Sequence, residues 1–202
     1  LKLIEISKKL RERGVAHELI RREEPLEVTD VFSNTQAKFI KKALKRGEVV
    51  LALKLPGFSG ILGEEILPGR RFGKEFAERV SVIVGLAGII HTDELPAYGI
   101  SEEEKRELFN KTNADPQRDA VVIVIGPKEK VYEALDEVKE RAILALEGVP
   151  QETRKANPDG TTSFERPLGT AARLYPDTDS PPIEITRELL NEAEQNLPEY
   201  PW

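Results

Sequence analysis

Two continuous apolar runs constrain the fold more than any other feature of this sequence. Residues 49–55 read Val-Val-Leu-Ala-Leu-Lys-Leu, and residues 120–125 read Ala-Val-Val-Ile-Val-Ile. Runs of this length and composition are typical of strands buried in a sheet. The second run is followed by the clearest amphipathic helix of the chain, over residues 128–147, which ends at Gly148. The sequence therefore predicts a module of two layers, helices on a sheet, of the α/β or α+β class.

Shorter patterns predict the remaining elements. Ser101 and Glu104 form a capping box and predict that a helix begins there. Apolar alternation or short apolar runs predict brief strands in residues 26–32 and 85–91. Apolar periodicity and helix caps predict further helices over residues 1–14, 36–46, 73–83 and 187–196.

The sequence pattern changes near residues 27 and 149, where we place domain boundaries. Residues 1–26 and 150–202 are expected to be parts of a parent domain into which residues 27–149 are inserted. Residues 150–182 are rich in Pro, Gly, Thr, Asp and Arg and show little periodicity. Because the chain begins at Leu1 without an initiator Met, we expect it to be an excerpt of a longer polypeptide.

Composition excludes several classes of site. The chain has no Cys and only two His, which excludes disulfides, thiolate zinc sites and histidine-rich metal sites. Acidic residues outnumber basic ones by 36 to 30, so bulk charge does not favour nucleic acid, although local basic patches stay possible. No apolar run is long enough for a membrane helix and no signal peptide opens the chain, so we expect a cytoplasmic protein without a membrane partner.

Two basic stretches are candidates for binding phosphate. Residues 38–46 carry five positive charges and no acid, and on a helix Phe39 would face inward while Lys41 and Lys45 face solvent. Phosphate contact and a merely solvated helix are equally good interpretations of this stretch. Arg70 and Arg71 lie in a loop between Gly69 and Gly73, followed by Lys74; such a loop can present guanidinium groups at a fixed spacing, so this pair is the better candidate.

Two further segments carry chemistry-bearing side chains. Residues 91–94, His-Thr-Asp-Glu, combine an imidazole with two carboxylates after a predicted strand, but a turn with a helix cap is the favoured interpretation. In residues 152–182, Arg154, Arg166 and Arg173 are candidates for phosphate binding. Asp177 and Asp179 are equally consistent with holding a hydrated Mg²⁺ and with forming turns.

Several strings of the sequence together resemble one family. Residues 153–162 read Thr-Arg-Lys-Ala-Asn-Pro-Asp-Gly-Thr-Thr, and residues 171–182 read Ala-Ala-Arg-Leu-Tyr-Pro-Asp-Thr-Asp-Ser-Pro-Pro. With residues 55–60, 68–71, 91–99 and 166–168, they resemble the GatE subunit of the archaeal glutamyl-tRNA(Gln) amidotransferase, GatDE. Gly169-Thr170 departs from the Pro-Gly expected there.

The resemblance also implies a domain and its fold. Residues 27–149 look like the GAD domain, a module also inserted in bacterial-type aspartyl-tRNA synthetases; residues 85–89 and 119–147 carry this likeness. The fold class implied is α+β, with an antiparallel sheet, two layers and helices on one face. An origin in a synthetase is the weaker alternative, because residues 152–182 resemble the amidotransferase.

The reaction implied by the resemblance is the conversion of Glu-tRNA(Gln) to Gln-tRNA(Gln). ATP with Mg²⁺ phosphorylates the glutamyl side chain, and ammonia from the amide-hydrolysing partner subunit GatD displaces the phosphate. The family's catalytic domain, called the cradle, lies mostly N-terminal to the inserted domain. We therefore expect this chain alone to be inactive and to bind neither ATP nor Mg²⁺. Candidate residues at the cradle edge are Arg166, Arg173, Tyr175, Asp177 and Asp179.

Two roles for the inserted domain stay open. It either helps to position tRNA(Gln), through Arg70, Arg71, Lys74, Lys41 and Lys45, or it is a structural or subunit-interface insertion that touches no RNA. The basic loop favours the first role and the net acidity favours the second. No DNA partner and no metal site within the domain are expected.

Overall fold

The computed structural model describes residues 1–168 and 184–196. Its helices are α1 (Lys2–Glu12), α2 (His17–Arg21), α3 (Lys38–Lys45), α4 (Gly73–Val84), α5 (Glu102–Lys111), α6 (Lys128–Glu147) and α7 (Arg187–Gln195). Its strands are β1 (Leu26–Glu27), β2 (Val49–Leu55), β3 (Glu65–Leu67), β4 (Arg70–Arg71), β5 (Ile90–His91), β6 (Ala120–Gly126), β7 (Glu152–Ala156) and β8 (Thr162–Pro167). Two short 3₁₀ helices cover Thr29–Phe32 and Thr92–Glu94.

A four-stranded antiparallel sheet with the order β1-β2-β6-β5 forms the centre of the fold. The two long apolar runs of the sequence are its central strands, and Leu51 lies opposite Val124 in their register. The β3–β4 and β7–β8 pairs form separate two-stranded antiparallel hairpins. The predicted α+β class with an antiparallel sheet is confirmed.

The sheet is buried on both of its faces. Residues 51, 53 and 55 of β2 and residues 120, 122 and 124 of β6 pack in one core with α1, α2, α4 and α6. Val50 and Ala52 of β2 and Val121 and Ile123 of β6 pack in a second core with α3, α5 and Phe32. The fold therefore has three layers, whereas two layers with helices on one face were expected. Each large apolar side chain buried in these cores contributes about 1.5–3 kcal/mol.

Helix ends are placed by local chemistry as predicted. Ser101 Oγ accepts a hydrogen bond from the backbone N–H of Glu104, and the Glu104 carboxylate accepts one from the N–H of Ser101 at 2.6 Å. The predicted helix over residues 128–147 is present as α6. The helix near residue 73 is present as α4, and Gly85, with φ of 76°, ends it in the left-handed conformation.

The largest local difference lies in residues 150–168, which have little periodicity yet form the β7–β8 hairpin. Only Phe164 of this hairpin is a buried apolar side chain, so the alternation that identifies a half-buried strand is missing. The turn is held instead by polar contacts: Asp159 accepts a hydrogen bond from the backbone N–H of Thr161 at 2.9 Å. The predicted strands in residues 26–32 and 85–91 shorten to two residues each, β1 and β5.

Residues 1–168 form one unit, and residues 184–196 belong to a second unit that begins at residue 169. In the second unit α7 begins at Thr186, whose hydroxyl accepts a hydrogen bond from the backbone N–H of Leu189. No helix in the described part of the chain is both long and apolar enough to cross a membrane. The predicted domain boundaries near residues 27 and 149 stay predictions.

Candidate nucleic-acid interface

Arg70 is held in internal ion pairs at the start of α4. The β3–β4 turn places Gly69 in the left-handed region, at φ of 73°, and directs Arg70 towards α4. The guanidinium donates hydrogen bonds to Glu75 Oε1 at 2.7 Å and to both carboxylate oxygens of Glu78, at 2.6 and 2.8 Å. Its side chain is only 11% exposed. Hydrogen bonds to Glu78 and Glu75 outweigh burial and raise the pKa of Arg70.

A second arginine, from the β7–β8 hairpin, completes this arrangement. Arg154 donates to Glu75 Oε2 at 2.9 Å and to Glu75 Oε1 at 3.0 Å, and it also pairs with Glu152. We call Arg70, Glu75, Glu78, Glu152 and Arg154 the Glu75 ion cluster. Glu75 is only 4% exposed. Burial alone would raise the pKa of its carboxyl, but the hydrogen bonds from Arg154 and Arg70 hold that pKa below its ordinary value.

The Glu75 ion cluster attaches the hairpin to the sheet-covering helices. The backbone N–H of Phe164, in β8, donates to Glu78 Oε2 at 3.2 Å. The guanidinium of Arg79 lies 5.3 Å from the centre of the Phe164 ring and pairs with Glu137 of α6 at 2.6 Å. Charged groups on α4 therefore bind β8 on one side and α6 on the other.

Arg141 of α6 is buried beneath these residues. It is 1% exposed, and its guanidinium lies 4.9 Å from the centre of the Phe72 ring and 5.5 Å from that of Phe76. Its guanidinium nitrogens have no hydrogen-bond partner among the described residues. Burial lowers the pKa of Arg141 to about 10, an effect that Glu75 and Glu152 oppose.

Arg71 and Lys74 remain on the surface of the predicted basic loop. They line a groove of about 460 Å³, together with His91, Glu94, Asp159 and Thr161. Two carboxylates therefore face the same groove as the two cations. His91 is buried there against Gly73, where a Cβ would lie 2.4 Å from the imidazole Nε2, so α4 must begin with glycine to fit.

The segment His91–Glu94 braces a turn, as its favoured interpretation predicted. Asp93 accepts hydrogen bonds from the backbone N–H groups of Gly60 and Gly63, at 2.9 and 3.1 Å. Glu94 accepts one from the N–H of His91 at 3.1 Å. Burial lowers the pKa of His91. Among residues 1–168 and 184–196, no three His, Asp or Glu side chains group as metal ligands would.

Helix α3 has four lysines among its eight residues. Ile40 and Ala43 are buried against the sheet, while all four lysines of the helix are exposed. None of these lysines pairs with a carboxylate within the described residues, whereas Arg46 pairs with Glu48 at 2.8 Å. The expectation that Phe39 faces inward is wrong, because its side chain is 40% exposed. The four exposed lysines are Lys38, Lys41, Lys42 and Lys45.

Of the predicted cradle-edge residues, the structure describes Arg166. Arg166 is exposed on β8, opposite Thr153 in the hairpin register. The others, Arg173, Tyr175, Asp177 and Asp179, lie outside the described residues, as does the departure at Gly169-Thr170. Their grouping stays a prediction.

Sequence reasoning missed the Glu75 ion cluster. Glu75 and Glu78 are three residues apart, which places both carboxylates on one side of α4, and this spacing was a usable signal. Arg154, the second partner of Glu75, lies 79 residues further along the chain, and no local pattern connects the two.

Comparison with known proteins gives two results. Residues 40–135 match the family model of the GAD domain. The chain is 49% identical over 200 residues to the GatE subunit of the glutamyl-tRNA(Gln) amidotransferase of Methanopyrus kandleri, which covers 99% of this chain and 31% of that protein. It is 50% identical over 201 residues to the same subunit of Pyrococcus horikoshii, covering 100% of this chain and 31% of that protein. The chain thus spans about a third of the length of the curated relatives it matches.

Proposed function

The chain is homologous along its whole length to a segment of the GatE subunit of glutamyl-tRNA(Gln) amidotransferase and contains a GAD domain, and from this premise we propose its function. The protein that carries this segment is a tRNA-dependent amidotransferase of the cytoplasm that converts Glu-tRNA(Gln) to Gln-tRNA(Gln). In this proposal ATP phosphorylates the glutamyl γ-carboxylate. Ammonia, released from an amide by the partner subunit GatD, then displaces the phosphate.

Within that protein, the segment binds tRNA(Gln) through its basic surface. The observation that carries this role is α3, whose four exposed lysines have no carboxylate partner among the described residues. Unpaired surface lysines bind polynucleotide phosphates by releasing condensed counterions. Arg71 of β4 and Lys74 at the start of α4 are two further exposed cations. Arg70 is excluded from this role, since the Glu75 ion cluster already holds its guanidinium.

ATP and Mg²⁺ belong to the whole protein in this proposal. The described residues include no group of three carboxylate or imidazole ligands, so they do not fit a metal site, and no step of the reaction is assigned to them. The phosphate and Mg²⁺ candidates Arg173, Asp177 and Asp179 lie outside the described residues. The isolated 202-residue chain is expected to show no ATP-dependent amidation; measurable turnover by it alone would contradict this assignment.

A second candidate role is a structural insertion that braces the cradle or the partner subunit without touching RNA. The Glu75 ion cluster favours it, because Arg70 of β4 and Arg154 of the β7–β8 hairpin serve internal attachment. The net charge of −6 also favours it. The two roles differ in whether α3 contributes to RNA affinity.

Binding of tRNA(Gln) transcript across a salt series, to the whole protein with its partner subunit, separates the two roles. The test variant is Lys41→Ala with Lys45→Ala. The matched control, Lys8→Ala with Lys130→Ala, removes the same charge from exposed positions on α1 and α6. If α3 contacts two phosphates, the slope of log affinity against log salt falls by roughly 1.5 in the test variant only. Equal slopes in the wild type and both variants would support the structural role.

A further inference from the structure

A cleft of about 300 Å³ lies between α3 and the segment before β5. It is lined by the ring of Phe39 and by the apolar side chains of Ile90, Ile123 and Ile125. Phe39 leaves 40% of its surface exposed there, although Ile40 and Ala43 already anchor α3 to the sheet. The exposed part of the ring is free to contact a ligand. We call this site the Phe39 cleft.

One wall of the Phe39 cleft includes an open edge of the sheet. Strand β5 pairs with β6 only at Ile123 and Val122, whereas β6 continues to Gly126. On the β5 side of β6, residues 124–126 therefore have no strand partner among the described residues, and Ile125 from this stretch lines the cleft. Backbone N–H and C=O groups at such an edge can form hydrogen bonds with the polar rim of a flat ligand.

Positive charge lies beside the cleft, on the exposed side of α3. Lys42 follows Phe39 by three residues and so lies on the same side of α3. Arg46 and its ion-pair partner Glu48 both line the cleft, so these two charges offset each other there. Lys38, Lys41 and Lys45 cover the solvent side of the same helix. A polynucleotide complements this arrangement, because a base supplies a flat apolar face and its phosphates supply the opposite charge.

We propose that the Phe39 cleft binds one unpaired nucleobase of RNA, stacked on the ring of Phe39, while Lys42 and the neighbouring lysines of α3 contact the flanking phosphates. The proposal rests on the proposed function and narrows it to a single-stranded part of the RNA. A base inside a duplex is already stacked and paired, so its face cannot reach the ring.

The test uses the whole protein with its partner subunit. One probe is a short single-stranded oligoribonucleotide carrying a fluorescent 2-aminopurine, which is quenched on stacking, and the other is a blunt RNA duplex of the same length. Phe39→Ala is compared with Phe39→Tyr, which keeps a ring. Ala87→Trp fills the cleft from an exposed position in its lining without altering Phe39. Because Phe39 and Ala87 are both exposed, thermal melting should show that all three variants fold.

We expect Phe39→Ala and Ala87→Trp to weaken single-strand binding roughly 5- to 100-fold and to abolish the quenching. We expect Phe39→Tyr to remain within about threefold of the wild type, and duplex binding to be the same in all four proteins.

Each other outcome overturns the proposal in a distinguishable way. If the wild type shows no salt-dependent tRNA binding, the proposed function fails and the Phe39 cleft assignment fails with it. If the wild type binds tRNA but Phe39→Ala leaves affinity and quenching unchanged, only the cleft assignment is wrong. If Phe39→Ala instead releases the partner subunit while RNA binding persists, the cleft binds protein and not a nucleobase.

Discussion

The Glu75 ion cluster and the lysines of α3 use similar residue types for opposite purposes. In the cluster, two arginines share one carboxylate, that of Glu75, which is only 4% exposed. On α3, four lysines face solvent with no carboxylate partner in the described part of the chain. The first arrangement attaches the β7–β8 hairpin to α4, and the second leaves charge available to a ligand.

The difference between these two regions teaches that the density of charge in a sequence does not identify the binding surface. The Arg70-Arg71 pair looked the better phosphate candidate, yet one of its members is held internally. Arginine suits that position because its planar guanidinium binds two carboxylates at once. What separates the two regions is whether a carboxylate lies within reach after folding.

The largest expected effect comes from removing the shared carboxylate. Glu75→Ala leaves Arg70 and Arg154 without their common partner, and we expect the free energy of unfolding to fall by about 3–5 kcal/mol. Urea unfolding measures the change. Glu133→Ala, at an exposed position of α6, is the matched control and should change stability by less than about 0.5 kcal/mol. A loss from Glu75→Ala no larger than the control's would show that the cluster contributes nothing net.

The same carboxyl predicts a pH dependence of stability. The pKa of Glu75 is lower in the folded protein than in the unfolded chain, so its ionisation stabilises the fold at neutral pH. That contribution is complete above the unfolded pKa, about 4.3, and is lost as the pH falls through the lower folded value. Urea unfolding between pH 6 and pH 3 should therefore show a steeper loss of stability in the wild type than in Glu75→Gln. Parallel curves would contradict the assigned direction.

Removing the hairpin's own arginine should act locally. Arg154→Met keeps an apolar side chain of similar length but removes the bonds to Glu75, and we expect a loss of about 1–3 kcal/mol. Hydrogen exchange should accelerate in residues 152–167 and stay unchanged in α6, whose amides are protected by the main core. Uniform acceleration across both regions would mean that the hairpin is integral to the whole fold.

The smallest effect on stability is expected on α3. Lys41→Ala with Lys45→Ala removes two exposed cations that repel each other at a spacing of four residues, so stability should change by less than about 0.5 kcal/mol. We also expect this variant to alter the salt dependence of tRNA binding and Arg154→Met to leave it unchanged. That result would separate the RNA-binding lysines of α3 from the internal Glu75 ion cluster. If Arg154→Met alters the salt dependence of tRNA binding equally, the Glu75 ion cluster also affects RNA binding, and the distinction between the two regions is wrong.

Much of the fold could be predicted from local patterns. Buried strands β2 and β6, helix α6 and the capping box of α5 depend on neighbouring residues, and the structure confirms each of them. The third layer of the fold was harder to predict from the sequence. The apolar runs have no polar alternation, which already indicates burial on both faces, but α3 and α5 give no local sign of which face they cover.

The candidate site was less predictable than the fold. Its basic residue types are visible in the sequence, but the exposure of Phe39 depends on how α3 rotates against the sheet. Whether Arg70 is paired or free depends on the carboxylates of Glu75 and Glu78, five and eight residues away, which α4 places next to its guanidinium. The remaining candidates, in residues 169–183, lie outside the described residues.

The sequence by itself therefore determined the central strands β2 and β6, the longer helices with their ends, and the similarity to GatE proteins. These depend on periodicity, capping and strings of residues, which are properties of neighbours along the chain. Only the tertiary structure decided which charges are neutralised and which stay free. Ion pairs such as that of Arg154 with Glu75 join residues far apart in sequence, and burial, which makes such pairs strong, exists only after the chain has folded.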